Sequence, residues 1–198
     1  MTLVSLMPTP PYRALIFDCD GTLANTLPIH YQAWAETVER FGGVLPPAWY
    51  YSHAGIATVE LVHLINGAFG YGLNAEAVKV AKHSRFEELL VNVQPIPPVV
   101  DVVLSCLGKV PMAIASGGAK HIVEATLEAV GLSKAFSAII TIEDVSRGKP
   151  EPELFLTAAQ ALNVLPEDCI VYEDSEVGFQ AAKAAGMRSI DVRPMVQL

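Results

Sequence analysis

Two aspartates two residues apart stand where an apolar run of the sequence ends. Asp18 and Asp20 follow residues 12–17 (YRALIF), and Gly21 and Thr22 come directly after them. Carboxylates are seldom buried unless they are paired, hydrogen-bonded or bound to a metal, and open parallel sheets bind ligands at the carboxyl ends of their strands. A single Asp-Gly commonly forms only a turn. Two acids followed by Gly-Thr favour a reactive or metal-binding site.

A second acidic pair, Glu173 and Asp174, follows another apolar run, residues 169–172 (CIVY). If both runs are parallel strands, the four acids gather at one edge of the sheet, where like charges repel unless a cation lies between them. Carboxylate oxygens and waters suit Mg²⁺ better than zinc. Taken alone, Glu173, Asp174 and Ser175 would also suit the start of a helix, where acids and serine are favoured.

Two further segments carry groups that can bind an oxyanion. Ser116 follows the apolar residues 110–115 and precedes Gly117, so a hydroxyl and backbone amides meet at the start of a predicted helix. Lys149 lies in residues 147–152 (RGKPEP), and its ammonium can pair with a phosphate or keep a carboxylate ionised. Each segment by itself is also typical of an ordinary surface loop.

The spacing of apolar residues predicts the elements that must position these groups. Short apolar runs indicate five buried strands, and helix-like stretches alternate with the later ones. The predicted strands are 12–17, 110–115, 138–142, 169–172 and 188–192, and the predicted helices are 99–107, 119–130, 153–162 and 177–185. Gly131 and Gly186 stand where helix C-terminal caps are expected. The alternation predicts an α/β fold with a doubly wound parallel five-stranded sheet.

A long insertion separates the first two predicted strands. It spans about ninety residues, far more than the dozen or so that a simple crossover needs. Apolar residues recur at helical spacing over 30–41, 58–69 and 75–90, with glycine and proline breaks between them. The sequence therefore predicts a core domain of residues 1–23 and 94–198 and an inserted small α-helical domain of residues 24–93.

The composition limits the partners of the chain. Among 198 residues, 13 Lys and Arg stand against 21 Asp and Glu, and a net charge of −8 gives no general attraction for nucleic acid or anionic membranes. No apolar run approaches the roughly 20 residues of a membrane span, and residues 1–13 do not resemble a signal peptide. Three cysteines without metal-ligand spacing fit a reducing compartment. We expect a cytoplasmic protein, a monomer or weak homodimer.

Four segments in order, FDCDGTLANT, IASGG, RGKPEPELF and VYEDSEVG, resemble the four motifs of the haloacid dehalogenase superfamily of aspartate-nucleophile phosphohydrolases. The most similar subgroup contains β-phosphoglucomutase and small sugar phosphatases, including bacterial fructose-1-phosphatases. The helical insertion falls where this subgroup carries its cap, so the resemblance covers nearly the whole chain. It implies a Rossmann-like core, a mobile cap, and a Mg²⁺-dependent phosphoric monoester hydrolase for a small phosphorylated sugar or polyol.

The resemblance also implies roles for individual residues. Asp18 would attack phosphorus to give an aspartyl-phosphate, and Asp20 would act as general acid and then as base. His30 would lie near the sugar, although it could equally be a packing residue of the hinge. The implied ligand sets are Asp18, the Asp20 carbonyl, Glu173 and Asp174 for Mg²⁺, and Gly21, Ser116, Gly117 and Lys149 for the phosphoryl group.

The sequence departs from the family pattern at two places. Asn25 stands before Thr26 where the family usually has aspartate, and we expect the chemistry to survive this change. Residues 54–60 contain no arginine where the mutase binds its second phosphate, although Lys82 or Arg85 could substitute. This favours hydrolysis and leaves a β-phosphoglucomutase-type phosphotransferase as the alternative. A second alternative, a catalytically inactive binding module, is disfavoured because Asp18, Asp20, Lys149 and Asp174 are all present.

Overall fold

The computed structural model describes residues 6–54 and 56–195 and forms two compact units. One contains the chain up to Asn25 and from Gln94 onward, and the other is Thr26–Val93. The division falls two residues after the predicted boundary, because Ala24–Asn25 pairs as an antiparallel strand with Gln94–Pro95. Residues 1–5, 55 and 196–198 lie outside the described residues. The expectation that residues 1–13 are not a signal peptide therefore falls partly outside them.

The first unit is built on a parallel sheet. The strands of this unit are β1 (Ala14–Phe17), β2 (Ala24–Asn25), β3 (Gln94–Pro95), β4 (Met112–Ala115), β5 (Ala138–Ile140), β6 (Cys169–Glu173) and β7 (Arg188–Asp191). Strands β2 and β3 form a separate short antiparallel pair. The sheet has the order β5-β4-β1-β6-β7, and all four pairings are parallel. This confirms the predicted doubly wound five-stranded sheet. The strand order reverses between β1 and β6, the kind of point at which such sheets bind ligands.

One set of helices covers the two faces of this sheet, and another set makes up the second unit. The second unit contains α1 (Leu27–Arg40), α2 (Pro47–Tyr51), α3 (Thr58–Phe69) and α4 (Ala75–Leu89), and the sheet is covered by α5 (Pro97–Cys106), α6 (Lys120–Ala129), α7 (Glu153–Ala161) and α8 (Glu176–Ala184). None of the described helices combines the length and the apolar character needed to cross a bilayer. Gly131 and Gly186 follow α6 and α8 with φ of +74° and +73°, which confirms them as helix-ending glycines.

The core of the first unit explains why β1 is apolar throughout. Leu15 and Phe17 pack on the face covered by α5 and α6, whereas Ala14 and Ile16 pack on the face covered by α7 and α8. Successive side chains of a strand point to opposite faces, so a strand buried on both faces has no position for a polar residue. Polar side chains therefore stand only outside β1, with Arg13 directly before it and Asp18 directly after it.

The predicted third strand was too long at its carboxyl end. The prediction extended to Ile142, but β5 ends at Ile140 and a 3₁₀ turn covers Ile142–Asp144. The Thr141 amide and hydroxyl both donate to Asp144 Oδ2, each at 2.9 Å. Because this capping box engages the backbone of Thr141, the chain turns away from the sheet there.

The second unit has its own apolar core, formed where α1, α3 and α4 meet. Trp34, Val38, Leu61, Val62 and Ile65 are all buried in it. The sequence did not predict α2, because consecutive prolines at its start indicate a break. The second of them occupies the first helical position, where the absence of an amide hydrogen costs nothing.

Candidate active site

Strand β1 delivers Asp18 to the carboxyl edge of the sheet. The Asp18 amide donates to the Tyr172 carbonyl at 3.0 Å, which continues the pairing with β6, and Asp18 is only 5% exposed. The chain then turns tightly, because the Cys19 carbonyl accepts bonds from the amides of Leu23 and Ala24 at 3.0 and 3.2 Å. This turn leaves the next acid, Asp20, half-buried at the same edge.

Gly21 and Thr22 bring this turn against Asp174. Gly21 has φ +79°, and a Cβ at this position would overlap with Asp174 Oδ2, so the position requires glycine. The Gly21 amide, for which the family resemblance implies a phosphate contact, donates to the Ala24 carbonyl at 2.8 Å. Thr22, which is fully buried, donates through Oγ1 to Asp174 Oδ1 at 3.4 Å. Sequence reasoning gave Thr22 no role, although its place after Asp-Gly was a usable signal.

Lys149 connects the first and the last of the sequence motifs. Its Nζ lies 2.6 Å from Asp18 Oδ1 and 2.7 Å from Glu173 Oε2, and 5.1 Å from the centre of the Phe155 ring. Burial alone would lower the pKa of Lys149, but the charges of Asp18 and Glu173 raise it above its usual value. Lys149 is therefore a buried cation placed directly on the candidate nucleophile.

Glu173 is fully buried and its carboxylate is satisfied on both oxygens. Oε1 accepts bonds from the amides of Asp174 and Ser175 at 3.1 and 3.0 Å and from the Ser175 hydroxyl at 2.8 Å. The Ser175 hydroxyl in turn accepts from the Gly178 amide at 3.1 Å and so caps α8. The helix-start interpretation of this segment is therefore confirmed, and the same segment places the Glu173 carboxylate beside Lys149.

The loop after β4 carries Ser116 to the same edge. Ser116 is 1% exposed, its amide donates to the Ile140 carbonyl at 3.0 Å, and its Oγ accepts from the Gly118 amide at 3.1 Å. A Cβ at Gly118 would lie 3.4 Å from Ser116 Oγ and 3.7 Å from Asp20 Oδ2, so the loop borders Asp20. Gly117, which stands between Ser116 and Gly118 in the chain, is exposed.

The acids of this edge fit a divalent cation. Asp18, Glu173 and Asp174 can each offer one carboxylate oxygen, and these oxygens lie within 4.8 Å of one another. Burial, opposed in part by Lys149, raises the pKa of Asp18 well above its usual value, and burial with the adjacent Glu173 charge raises the pKa of Asp174 to about 7. A cation would relieve this unfavourable concentration of negative charge, and an all-oxygen donor set suits Mg²⁺.

His30 belongs to the other unit, Thr26–Val93, and not to the unit that carries the acids. Its Nδ1 lies 3.0 Å from Nζ of the buried Lys82, and its ring stacks on Phe86 with 4.0 Å between the ring centres. Burial and the neighbouring Lys82 charge lower the pKa of His30 to about 3. The ring is therefore neutral at physiological pH.

Arg85, the other cation considered for this unit, is already paired with acids. It donates to Glu36, and its Nη1 lies 2.7 Å from Glu88 Oε2. The contact with Glu36 joins α4 to α1, whereas Glu88 lies within α4.

Comparisons with known proteins extend over both units. Residues 12–186 match a protein-family model described as haloacid dehalogenase-like hydrolase. Fructose-1-phosphate phosphatase YqaB of Escherichia coli K12 is 37% identical over 183 residues, which cover 92% of this chain and 97% of that protein. Hexitol phosphatase A of the same organism is 32% identical and covers 91% and 82%. The crystal structure of β-phosphoglucomutase from Clostridium difficile has a TM-score of 0.72 at 25% identity and covers 91% and 84%.

Proposed function

Because the chain belongs to the haloacid dehalogenase-like hydrolases, we propose that it is a Mg²⁺-dependent phosphatase of a small sugar or polyol phosphate such as fructose 1-phosphate. The observation that carries this proposal is the buried Asp18 carboxylate held 2.6 Å from Lys149 beside Asp174. The names of the two phosphatase relatives support a phosphorylated sugar or polyol as substrate.

The residues of the first unit can perform a two-step transfer. In the first step an oxygen of Asp18 bonds to phosphorus while the bond from phosphorus to the substrate oxygen breaks, and that oxygen takes a proton from Asp20. In the second step Asp20 takes a proton from water, the water oxygen bonds to phosphorus, and the bond to Asp18 breaks. Inorganic phosphate leaves, and both aspartates return to their starting states.

Positive charge near Asp18 is needed because both the nucleophile and the phosphate ester are anions. Lys149 supplies one such charge, and Ser116 and the Gly117 amide bind the other phosphoryl oxygens. Mg²⁺ would be held by Asp18, Asp174 and the Asp20 carbonyl, with Glu173 as a ligand or a neighbour of the ligands. When bound, it neutralises charge on the phosphoryl group.

We assign the choice of substrate to the helical unit, in which His30 contacts the sugar. An ammonium can only donate, so the neutral His30 ring accepts from Lys82 at Nδ1 and carries its proton on Nε2. That Nε2–H suits a hydroxyl oxygen of a sugar. We also propose that the unit acts as a cap that excludes water from the first step.

Hydrolysis is favoured over phosphotransfer between sugar positions. A mutase must hold a bisphosphate at both ends, and Arg85 is engaged by Glu36 and Glu88. Incubation with β-glucose 1-phosphate and a bisphosphate primer separates the two activities, because a mutase produces glucose 6-phosphate and a phosphatase produces free phosphate. Glucose 6-phosphate as the main product would contradict the proposal.

A screen of phosphorylated sugars and polyols tests the function itself. The proposal expects phosphate release from at least one of them with Mg²⁺ and none after a chelator is added. Absence of release from the whole panel, with retained binding of metal or of another protein, would indicate the inactive binding module instead.

We further propose that the protein acts in the cytoplasm as a monomer or weak homodimer, and that it binds a small phosphorylated sugar or polyol but neither nucleic acid nor membranes. The three cysteines, Cys19, Cys106 and Cys169, are all buried free thiols, as suits a reducing compartment. The net charge of −8 disfavours nucleic acid and anionic membranes.

A further inference from the structure

A short turn after β5 is fixed by bonds that the proposed chemistry does not use. Thr141 is fully buried, and both its amide and its hydroxyl donate to Asp144 Oδ2. The Asp144 amide donates back to the Thr141 carbonyl at 3.0 Å. These bonds lower the pKa of Asp144 below its usual value. The backbone between the two residues is therefore held in one conformation.

Two contacts join this turn to the loop that carries Ser116. The Ile142 amide donates to the Gly118 carbonyl at 3.4 Å, and the Lys120 amide donates to Glu143 Oε1 at 3.1 Å. Lys120 is the first residue of α6, so Glu143 accepts from an amide that has no partner within the helix. The Glu143 carboxylate is therefore bound to the helix into which the Ser116 loop leads.

The turn also contacts the segment that carries Lys149. Gly148 approaches it so closely that a Cβ there would lie 2.8 Å from Ile142 Cδ1. The turn thus lies against both segments to which we assign the binding of phosphoryl oxygens. No side chain of the turn itself is needed for the bond-breaking steps.

We propose that Glu143 is a positioning residue for phosphate binding. Its hydrogen bond to the Lys120 amide fixes the start of α6 and so holds the Ser116 hydroxyl and the Gly117 amide where a phosphate can reach them. The inference rests on the proposed function only in that Ser116 binds a phosphoryl oxygen. It assigns to Glu143 an effect on phosphate affinity, exerted through Ser116.

The experiment compares Glu143→Ala, Glu143→Gln and the matched control Glu124→Ala, an exposed acid in the middle of α6. Calorimetric titration of the Mg²⁺-loaded full-length protein with inorganic phosphate gives the Kd without turnover. Glu143→Ala is expected to weaken phosphate binding and to raise the KM for the best substrate of the screen, each by about five- to tenfold, the loss expected for one typical intramolecular hydrogen bond. Glu143→Gln keeps an acceptor oxygen and restores both values, and Glu124→Ala changes neither.

A double-mutant cycle with Ser116→Ala separates positioning from a general loss of stability. If Glu143 acts through Ser116, Glu143→Ala adds little to the Kd once the hydroxyl is absent. An unchanged Kd in Glu143→Ala, or fully additive effects, would overturn the inference. If the wild type binds phosphate but releases it from no ester, the proposed function fails while the comparison of Kd values still decides the role of Glu143. A wild type that binds no phosphate would overturn both.

Discussion

Glu173 is the residue through which several parts of the site are held together. Its two carboxylate oxygens accept from Lys149, Asp174 and Ser175, so one fully buried acid fixes the cation, a proposed metal ligand and the start of α8. A buried charge is tolerated only when it is paired and hydrogen-bonded. Gly178, in the first turn of α8, leaves the room that this carboxylate occupies, because a Cβ there would overlap with the Glu173 carboxyl group.

Gly178→Ala is therefore expected to displace Glu173 and with it Lys149. Overpacking of this kind typically lowers the free energy of unfolding by about 1–3 kcal/mol. Displacement of Lys149 from Asp18 should separately lower kcat/KM by about tenfold or more, since about 1.4 kcal/mol of lost transition-state stabilisation corresponds to tenfold in rate. Gly67→Ala in α3 is the matched control, because a Cβ there meets nothing within 4 Å. It should raise the free energy of unfolding by up to about 1 kcal/mol and leave kcat/KM unchanged. Wild-type kcat/KM in Gly178→Ala would contradict this account of Glu173.

Among the helices, the N-terminal caps of α8 and α4 differ in the contacts that they make outside the helix. Ser175 caps α8 and also donates to Glu173, whereas Asn74 caps α4 by accepting from the Ala77 amide at 3.0 Å. Both caps stabilise a helix, but only the first contacts a residue of the site.

Ser175→Ala and Asn74→Ala are each expected to lower the free energy of unfolding by about 1 kcal/mol, as loss of an N-cap does. Urea unfolding measures this loss. Only Ser175→Ala should also lower kcat/KM, because it removes a donor from the buried Glu173. Equal effects of the two substitutions on kcat/KM would show that α8 contributes to the activity only through stability.

The elements of the core could be predicted from sequence because strands buried on both faces are continuous apolar runs. The pair β2 and β3 could not be predicted, because two-residue strands have no periodicity and Pro95 indicates a break. The end of β5 was misplaced for a different reason. Ile142 extends the apolar run, but the bonds between Thr141 and Asp144 turn the chain before it.

At the scale of the whole molecule, the position of the acids could be predicted but their contacts could not. Parallel strands bring their carboxyl ends to one edge, so the acids at the carboxyl ends of β1 and β6 had to be neighbours. The roles of Thr22 and Gly178 depend on which atoms of Asp174 and Glu173 lie beside them. Such distances follow from packing of the complete fold and leave no pattern in the sequence.

The concentration of acids in a chain of net charge −8 links stability to pH and metal. The pKa of Asp174 is raised to about 7, whereas an unfolded aspartate titrates near about 3.9. Between these values the folded state holds more protons than the unfolded state, so this residue makes the metal-free protein less stable as pH rises through that window. Well above pH 7 the Asp174 carboxylate is fully ionised, and a bound cation would neutralise its charge.

Mg²⁺ is therefore expected to raise the Tm more at pH 8 than at pH 5, since protons compete with the metal at the lower pH. Asp174→Asn should raise the Tm of the metal-free protein at pH 8 and abolish most of the response to Mg²⁺. Thermal unfolding with Mg²⁺ or with a chelator measures both effects. An Asp174→Asn protein that responds to Mg²⁺ as the wild type does would remove Asp174 from the metal site.

Asp18 is the proposed nucleophile, and its replacement by asparagine shows whether the reaction depends on its charge. Asp18→Asn keeps the size of the side chain but removes the attacking charge, and Asp101→Asn, on the exposed side of α5, is the control. Phosphate release from the best substrate of the screen, with saturating Mg²⁺, should fall at least about 10³-fold in Asp18→Asn and stay at the wild-type rate in Asp101→Asn. Magnesium-dependent release by Asp18→Asn at a rate near that of the wild type would contradict the mechanism.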